Sequence, residues 1–316
     1  MFHILIIVII IIFILYYYYR KPKKHISKYW SNMPVMRDHS KPNMSIIDLK
    51  YGLSPPDMTN ISSFLKVNDI VQFLNDNYID YYELSTDYIS RKLTCDNSRS
   101  LVYTDVATGN IIGYVYSSTF IFQGKPFTYV DLLCVHKLYR KTHIAERLID
   151  AIIYVSPIKQ IIHKKDSTCL PFKHFHQTSH YSCGVAYLCS KYTEYSNKNQ
   201  WIIDEKESSE TVKIYRSSIG EVESVVKFVV FGFKNLVKNG RLGEIYFCKD
   251  LNSESLYIEL IYIFKSLDID FLVTLPLDIF EKKINSDFYA KGMDLYMYGF
   301  NIYLDYIEKP FWLDVF

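Results

Sequence analysis

Glycine-rich phosphate loops, a Gly-x-Ser-x-Gly elbow and paired Cys-x-x-Cys motifs are all missing from this 316-residue chain. The first absence disfavours a nucleotide hydrolase, whose backbone must approach a phosphate where only glycine leaves room. The second leaves a Ser/His/Asp triad without its most recognisable sequence mark. The six cysteines, Cys95, Cys134, Cys169, Cys183, Cys189 and Cys248, are scattered rather than dense. That excludes a small disulfide-framed secreted scaffold and makes a reduced compartment the simpler setting. Strong charge is lacking too: a net charge of +2 gives no reason to propose a nucleic-acid partner. Cys169, His174, His176, His180, Cys183 and Cys189 crowd one stretch. Their irregular intervals lack the paired grammar of structural zinc, and no metal is expected.

What is present reads as globular: hydrophobic residues make up 49% and charged residues 22%, which excludes a disordered chain. The 29 Tyr and 20 Phe stand with abundant Ile, Lys and Asn, a bias that an AT-rich genome explains as well as function does. Phe2 to Tyr19 is nearly unbroken apolar sequence ending in four tyrosines. It is at the short end for a bilayer span, with tyrosines suited to the headgroup interface. No basic n-region precedes it and no small-residue cleavage site follows, so an uncleaved anchor is expected rather than a signal peptide. Arg20, Lys21, Lys23 and Lys24 follow it, which places the rest of the chain on the cytosolic side of a bilayer. The expected organisation is an anchor over 2–19, a basic juxtamembrane tether and extended arm over 20–63, and two α/β halves, 64–200 and 201–316.

The organising stretch is Tyr129-Val130-Asp131-Leu132-Leu133-Cys134-Val135, an apolar strand. It runs through a basic turn, His136 to His143, into a helix-periodic run of Ile144, Ala145, Leu148, Ile149, Ile152 and Ile153. A helix N-terminus beside Arg140 and Lys141 offers free N–H groups and a positive dipole end to an anion such as a pyrophosphate. Cys134 alternates with apolar neighbours, so a buried structural thiol is expected over a nucleophile. Upstream, the pattern predicts a helix from Val67 and strands at Ser100–Val106, Ile111–Ser117 and Phe120–Phe122. Helix, hairpin, strand, basic turn, helix is the order of an acyl-CoA-binding, acetyltransferase-type fold.

The second half repeats that grammar. Strands are expected at Ser208–Tyr215, Ser224–Phe233, Glu244–Cys248, Ile269–Leu275 and Asp294–Leu304, with a turn at Ser217–Gly220. Helices are expected at Ser255–Leu267 and Asp278–Ala290. The expected fold class is therefore α/β (α+β): two pseudo-symmetric acetyltransferase-type halves forming one saddle-shaped mixed sheet, preceded by a transmembrane helix.

Asp131-Leu132-Leu133-Cys134-Val135-His136-Lys137 resembles the Asn-Phe-Leu-Cys-Val-His-Lys motif of the glycylpeptide N-tetradecanoyltransferases, the N-myristoyltransferases. Arg140-Lys141-Thr142-His143-Ile144-Ala145 follows where that family has Arg-Ser-Lys-Arg-Val-Ala. Tyr29-Trp30-Ser31-Asn32-Met33-Pro34-Val35, Leu74-Asn75-Asp76-Asn77-Tyr78, Lys173-His174-Phe175-His176-Gln177-Thr178, Leu277-Asp278-Ile279, Asp294 to Tyr298 and the terminal Leu313-Asp314-Val315-Phe316 resemble further family motifs in the same order.

The resemblance implies transfer of a tetradecanoyl group from myristoyl-CoA to a protein's N-terminal glycine, with no prosthetic group. It implies an oxyanion hole from the backbone N–H groups of Leu132 and Leu133, and a base in the terminal carboxylate of Phe316. It places acyl-CoA against Tyr29, Trp30, Cys134, Val135, Arg140, Lys141, Thr142, His143, Ile144 and Ala145. The glycyl-peptide channel would be lined by Tyr78, His176 and Asp278. The chain departs from the family at His143 and Glu146 on the phosphate side, and in an acidic loop reduced to Asp80 and Glu83. Those departures keep two alternatives open: another acyl or amine specificity, or an inactive, membrane-tethered binding protein.

Overall fold

The structure is a computed structural model, and it describes residues 56–300 apart from the short gaps 64–65, 79–81, 96, 123–124, 167–169, 171–172, 194–199, 220–221, 234–239, 252 and 278. The expected anchor at 2–19, residues 20–55 of the tether and arm, Tyr29, Trp30, Cys169, Asp278 and Phe316 lie outside the described residues. The arm's last residues, 56–63, are described and contribute a short strand to the sheet. None of the described helices is long and apolar enough to cross a membrane.

The strands are β1 (Ile61–Ser62), β2 (Tyr82–Glu83), β3 (Arg99–Thr104), β4 (Ile111–Phe122), β5 (Lys125–Val135), β6 (Ile161–Asp166), β7 (His176–Gly184), β8 (Ile202–Ile203), β9 (Val212–Ile219), β10 (Val222–Phe233), β11 (Gly240–Lys249), β12 (Phe271–Thr274) and β13 (Ala290–Phe300). The helices are α1 (Val67–Asn77), α2 (Thr86–Thr94), α3 (Ile144–Val155), α4 (Val185–Lys191), α5 (Glu254–Ser266) and α6 (Ile279–Asp287).

The strands join in one 13-stranded mixed sheet, in the order β1-β3-β4-β5-β6-β13-β7-β12-β11-β10-β9-β8, with β2 added to β10. Read from its middle outwards the order is symmetric. In the first half β4 and β5 are antiparallel and β5 runs parallel to β6; in the second β10 and β11 are antiparallel and β11 runs parallel to β12. Each half borrows a strand from the other: β13 pairs with β6, and β7 with β12. Separating the halves would strip both inner edges of their ladder partners.

Three hydrophobic clusters cover the sheet. Ile144, Leu148 and Ile152 of α3 pack on Leu101, Val115 and Val130 of the first half. Gly113 permits that closeness, because a Cβ there would sit 2.8 Å from Leu148 Cδ1 and 2.9 Å from Ile144 Cγ2. Leu256, Tyr257, Leu260 and Phe264 of α5 pack on Phe228, Ile245 and Leu272 of the second half. The third cluster bridges the halves: Ile70, Leu74 and Ile89 of α1 and α2 meet Tyr114 and Leu132 on one side and Val225, Val229 and Phe231 on the other. Burying each such aliphatic side chain contributes about 2 kcal/mol.

Several expectations change. Ile111–Ser117 and Phe120–Phe122 are one strand, β4, since buried Ser117 and Ser118 stay in register with Val130 and Tyr129. Ser217–Ile219 is strand rather than turn: β9 pairs with β10 through Ile219 opposite Val222. The helix expected over Asp278–Ala290 is shorter, because Ala290 already opens β13, opposite Ser182. Helix α2 went unforeseen; it is short, and its start is a Ser85 N-cap whose hydroxyl accepts from the Tyr88 N–H at 3.1 Å.

Candidate active site

Strand β5 departs from regular geometry at its centre. Tyr116 of β4 faces Asp131 and Tyr114 faces Cys134, so three steps on β5 match two on β4 and one residue is extra. Leu132 adopts φ 52, in the left-handed region. A leucine there costs on the order of 1–2 kcal/mol and persists only where the surroundings fix it. β5 also parts from β6: the parallel pairing covers Thr128 to Val130 and stops before the bulge. Bulged backbone beside a gap between parallel strands is thus built into this strand.

The surroundings that fix the bulge are polar. Asp131 Oδ1 accepts the Leu132 N–H at 2.8 Å. Its Oδ2 lies 3.2 Å from the ammonium of Lys92 on α2, with side chains 8% and 1% exposed. That ammonium also sits over the rings of Tyr88 and Tyr116, at 5.4 and 5.2 Å from their centroids. The Tyr116 hydroxyl donates to the Lys92 carbonyl at 2.6 Å. Burial alone would raise the Asp131 pKa, but Lys92 and then Lys164 hold it below the usual carboxylate range, so Asp131 is ionised. Burial instead pushes the Cys134 thiol up to about 12, which makes it a structural thiol with no thiolate near neutral pH.

After Val135 the chain enters a 3₁₀ turn, Lys137–Tyr139, whose start His136 caps through Nδ1, accepting the Leu138 N–H at 3.2 Å. Lys141 and His143 both take left-handed φ, 69 and 62, and α3 begins at Ile144 with no side-chain cap. Its first N–H groups therefore face outward without a capping side chain from His143. Lys137, Arg140, Lys141, Thr142 and His143 are exposed around them. Two features temper this cationic corner. The Arg140 guanidinium donates to the Asn77 carbonyl at 2.9 Å, and Glu146 in the first helical turn meets His143 Nδ1 at 2.6 Å. The Glu146 carboxylate is thereby drawn onto the histidine.

The fold brings some of the sequence candidates together. Tyr78 closes α1 next to Asn77, whose Oδ1 accepts the Lys137 N–H at 3.2 Å, so the Tyr78 segment abuts the basic corner. Asn75 exchanges two hydrogen bonds with the backbone of Leu84 and pins the far side of the loop between α1 and α2. Leu132 packs with the α1–α2 cluster, while Leu133 and Val135 face the α3 cluster. Ile144 is buried and Ala145 half-buried at the helix start. His176 lies apart: it opens β7, buried opposite Met297 and three places from β5 in the sheet. His174, His176, His180 and Cys183 are spread along this segment, and among the described residues no three metal-ligating side chains converge. Lys92 and Asn77 were missed as functional candidates. Asp131, an acid inside an apolar strand, was the only sequence signal for the pair.

Residues 67–161, from α1 to the start of β6, match the acetyltransferase (GNAT) family. A search of curated proteins returns no match to this sequence. Among solved structures, Saccharomyces cerevisiae N-myristoyltransferase with bound myristoyl-CoA is similar at TM-score 0.74 and 13% identity, over 90% of this chain and 94% of that one. A second structure of the yeast enzyme, with myristoyl-CoA and inhibitors, is similar at TM-score 0.71 and 14% identity, over 91% and 93%.

Proposed function

We propose a function from the fold, which is similar to that of N-myristoyltransferase over 90% of this chain, with an acetyltransferase-family match over residues 67–161. From that premise we infer that it is an acyltransferase, and specifically an N-myristoyltransferase, moving a tetradecanoyl group from myristoyl-CoA to the N-terminal glycine of a protein. The observation that carries the reading is the left-handed Leu132 in the β5 bulge, where β5 leaves β6 and runs into the cationic corner.

In this reading the thioester carbonyl lies in the bulge and the CoA phosphates against the N-terminus of α3, with Arg140, Lys141 and Thr142 beside them. The glycine amine attacks the carbonyl carbon. A carbon–nitrogen bond forms while the carbonyl electron pair moves onto oxygen, where the Leu132 and Leu133 N–H groups receive it. The pair then returns, the carbon–sulfur bond breaks and CoA leaves as thiolate. Before the attack the ammonium gives one proton to the terminal carboxylate of Phe316, a role that rests on the sequence resemblance alone. The second nitrogen proton, released as the amide forms, goes to the departing thiolate. Tyr78, His176 and Asp278 line the peptide channel on the same ground. Residues 2–19 would tether the catalytic body to the cytosolic face of a membrane.

A second reading, an acyl-CoA-binding protein without turnover, is favoured by one observation: the Leu132 N–H is engaged by Asp131. One experiment separates the two. The full chain in detergent is mixed with myristoyl-, palmitoyl- or acetyl-CoA and a Gly-initiated peptide, and free CoA is followed. The transferase reading expects release that is fastest with myristoyl-CoA and absent when the peptide's amino group is blocked. Myristoyl-CoA binding without release would establish the second reading; neither binding nor release would refute both.

A further inference from the structure

Lys92 of α2 lies outside every quoted motif, yet with Asp131 it meets the most constrained point of β5. A lysine side chain 1% exposed is costly to bury unless its charge is matched. Here it meets Asp131 at 3.2 Å, and the other Asp131 oxygen holds the N–H of the strained Leu132. The chain α2 ammonium, carboxylate, bulge N–H is continuous. It ends at the group that would stabilise the transition state.

We propose that Lys92 is a positioning residue for acyl transfer. It neutralises Asp131 beside the developing oxyanion and, through Asp131, holds Leu132 in the conformation that aims its N–H at the thioester. The inference deepens the transferase reading and rests on it. An ionised carboxylate next to a forming alkoxide in a site of low dielectric repels it strongly. A fixed ammonium on the far carboxylate oxygen turns that lone charge into a neutral pair. Where the resembled motif has Asn, the side chain is neutral and calls for no cation. The aspartate creates the need, and Lys92 answers it. As the thioester oxygen arrives, Asp131 keeps Oδ2 on Lys92 and shares or yields the Leu132 N–H at Oδ1. Neither side chain gains or loses an atom or a proton. Lys164 contributes a further cation toward Asp131, and Tyr88 and Tyr116 wall the ammonium with their ring faces.

The test uses the full chain with myristoyl-CoA and a Gly-initiated peptide, comparing the parent with Lys92→Met, Asp131→Asn and the double variant, each with its thermal midpoint. For Lys92→Met, kcat falls roughly 100-fold, the size of a lost oxyanion interaction, with KM for myristoyl-CoA nearly unchanged. The double variant, with a neutral methionine beside an asparagine, recovers most of the lost kcat. Parental kcat in Lys92→Met overturns the inference, and so does a folded double variant no faster than Lys92→Met. If Lys92→Met does not fold, the double variant decides alone: folded and active supports the inference, while inactive or unfolded overturns it. A parent without turnover removes the transferase reading and this inference together. An active parent beside an unaffected Lys92→Met removes the inference only.

Discussion

Strands β5 and β11 hold equivalent places in the two halves, and they part ways in one residue and one turn. Each lies antiparallel to a long strand and parallel to a short one, carries one extra residue and feeds a helix. On β11 the extra residue is Tyr246, between Ile245 facing Phe228 and Phe247 facing Lys227. Tyr246 keeps an ordinary backbone, whereas Leu132 on β5 is left-handed. The turn after β5 is cationic; the turn after β11 holds Asp250, and Glu254 opens α5. The duplicated fold thus supplies two gaps beside a bulged strand, and charge and strain suit only the first to an anionic thioester ligand.

Two buried carboxylates, Asp131 of the first half and Asp287 of the second, keep different company. Asp287 is saturated: Lys191 at 2.7 Å, the hydroxyls of Tyr257 and Tyr192 at 2.7 and 2.8 Å, and Ser286 at 2.8 Å surround it. Burial would raise its pKa, but these donors hold it below the usual range. Asp287 locks α4, α5 and α6 together, while Asp131 links Lys92 of α2 to the strained N–H of Leu132. One carboxylate serves the scaffold and the other faces the proposed chemistry.

Breaking the scaffold carboxylate has the largest expected effect on stability. Asp287→Ala leaves the buried Tyr257 hydroxyl and the half-buried Tyr192 hydroxyl without their acceptor, removes one of the two acceptors of Lys191, and costs roughly 3–5 kcal/mol by denaturant titration. The folded fraction should keep the parental KM for myristoyl-CoA, unlike variants of the β5 corner.

The seam between the halves comes next. His163 of β6 stacks on Tyr298 of β13 at 5.2 Å, and burial depresses its pKa to about 4. As pH falls, the unfolded chain protonates this imidazole near its ordinary pKa, but the folded chain does so only near 4. Folding stability is therefore lost across that window, and the loss is complete below it. The full amount is roughly 3 kcal/mol. His163→Phe should flatten this part of the pH–stability curve; an unchanged slope would place the loss elsewhere.

Gly113→Ala tests how tightly the first half closes. The added methyl forces Leu148 and Ile144 away from β4, at about 1–3 kcal/mol. Because Ile144 starts α3, KM for myristoyl-CoA should rise as well, which steady-state kinetics would report. The smallest effect sharpens the charge comparison directly. Lys141→Glu should weaken acyl-CoA binding about 10-fold at low salt and less at high salt. Lys249→Glu, at the end of β11 beside the corresponding corner, should leave binding unchanged.

Much of the first half was legible because its periodicities are clean. Apolar β5 turning into the 3.6-residue stripe of Ile144, Leu148 and Ile152 announces strand and helix, and basic residues mark the corner between them. The bulge was not legible, since leucine in an apolar run gives no sign of a left-handed backbone. Nor was the burial of Lys92, because lysine near the end of a short polar helix normally reads as solvated. Strands β6 and β7 were hidden for another reason. They sit mid-sheet, yet β6 carries His163, Lys164 and Lys165, and β7 carries His176, His180 and three serines or threonines, so no hydrophobic alternation marks them. Their strand character comes from pairing with β13, which is distant in sequence. Tertiary pairing overrode local composition there.

The account turns on whether the β5 bulge receives the thioester. The most direct measurement is a crystal structure of the full chain with a non-transferable myristoyl-CoA analogue whose carbonyl is retained. The expected result places the carbonyl oxygen within hydrogen-bond distance of the Leu132 and Leu133 N–H groups. Asp131 should still be bound to Lys92, and the phosphates should lie against the first turn of α3. An analogue bound away from β5, or a Leu132 N–H still held by Asp131 with the carbonyl elsewhere, would contradict it.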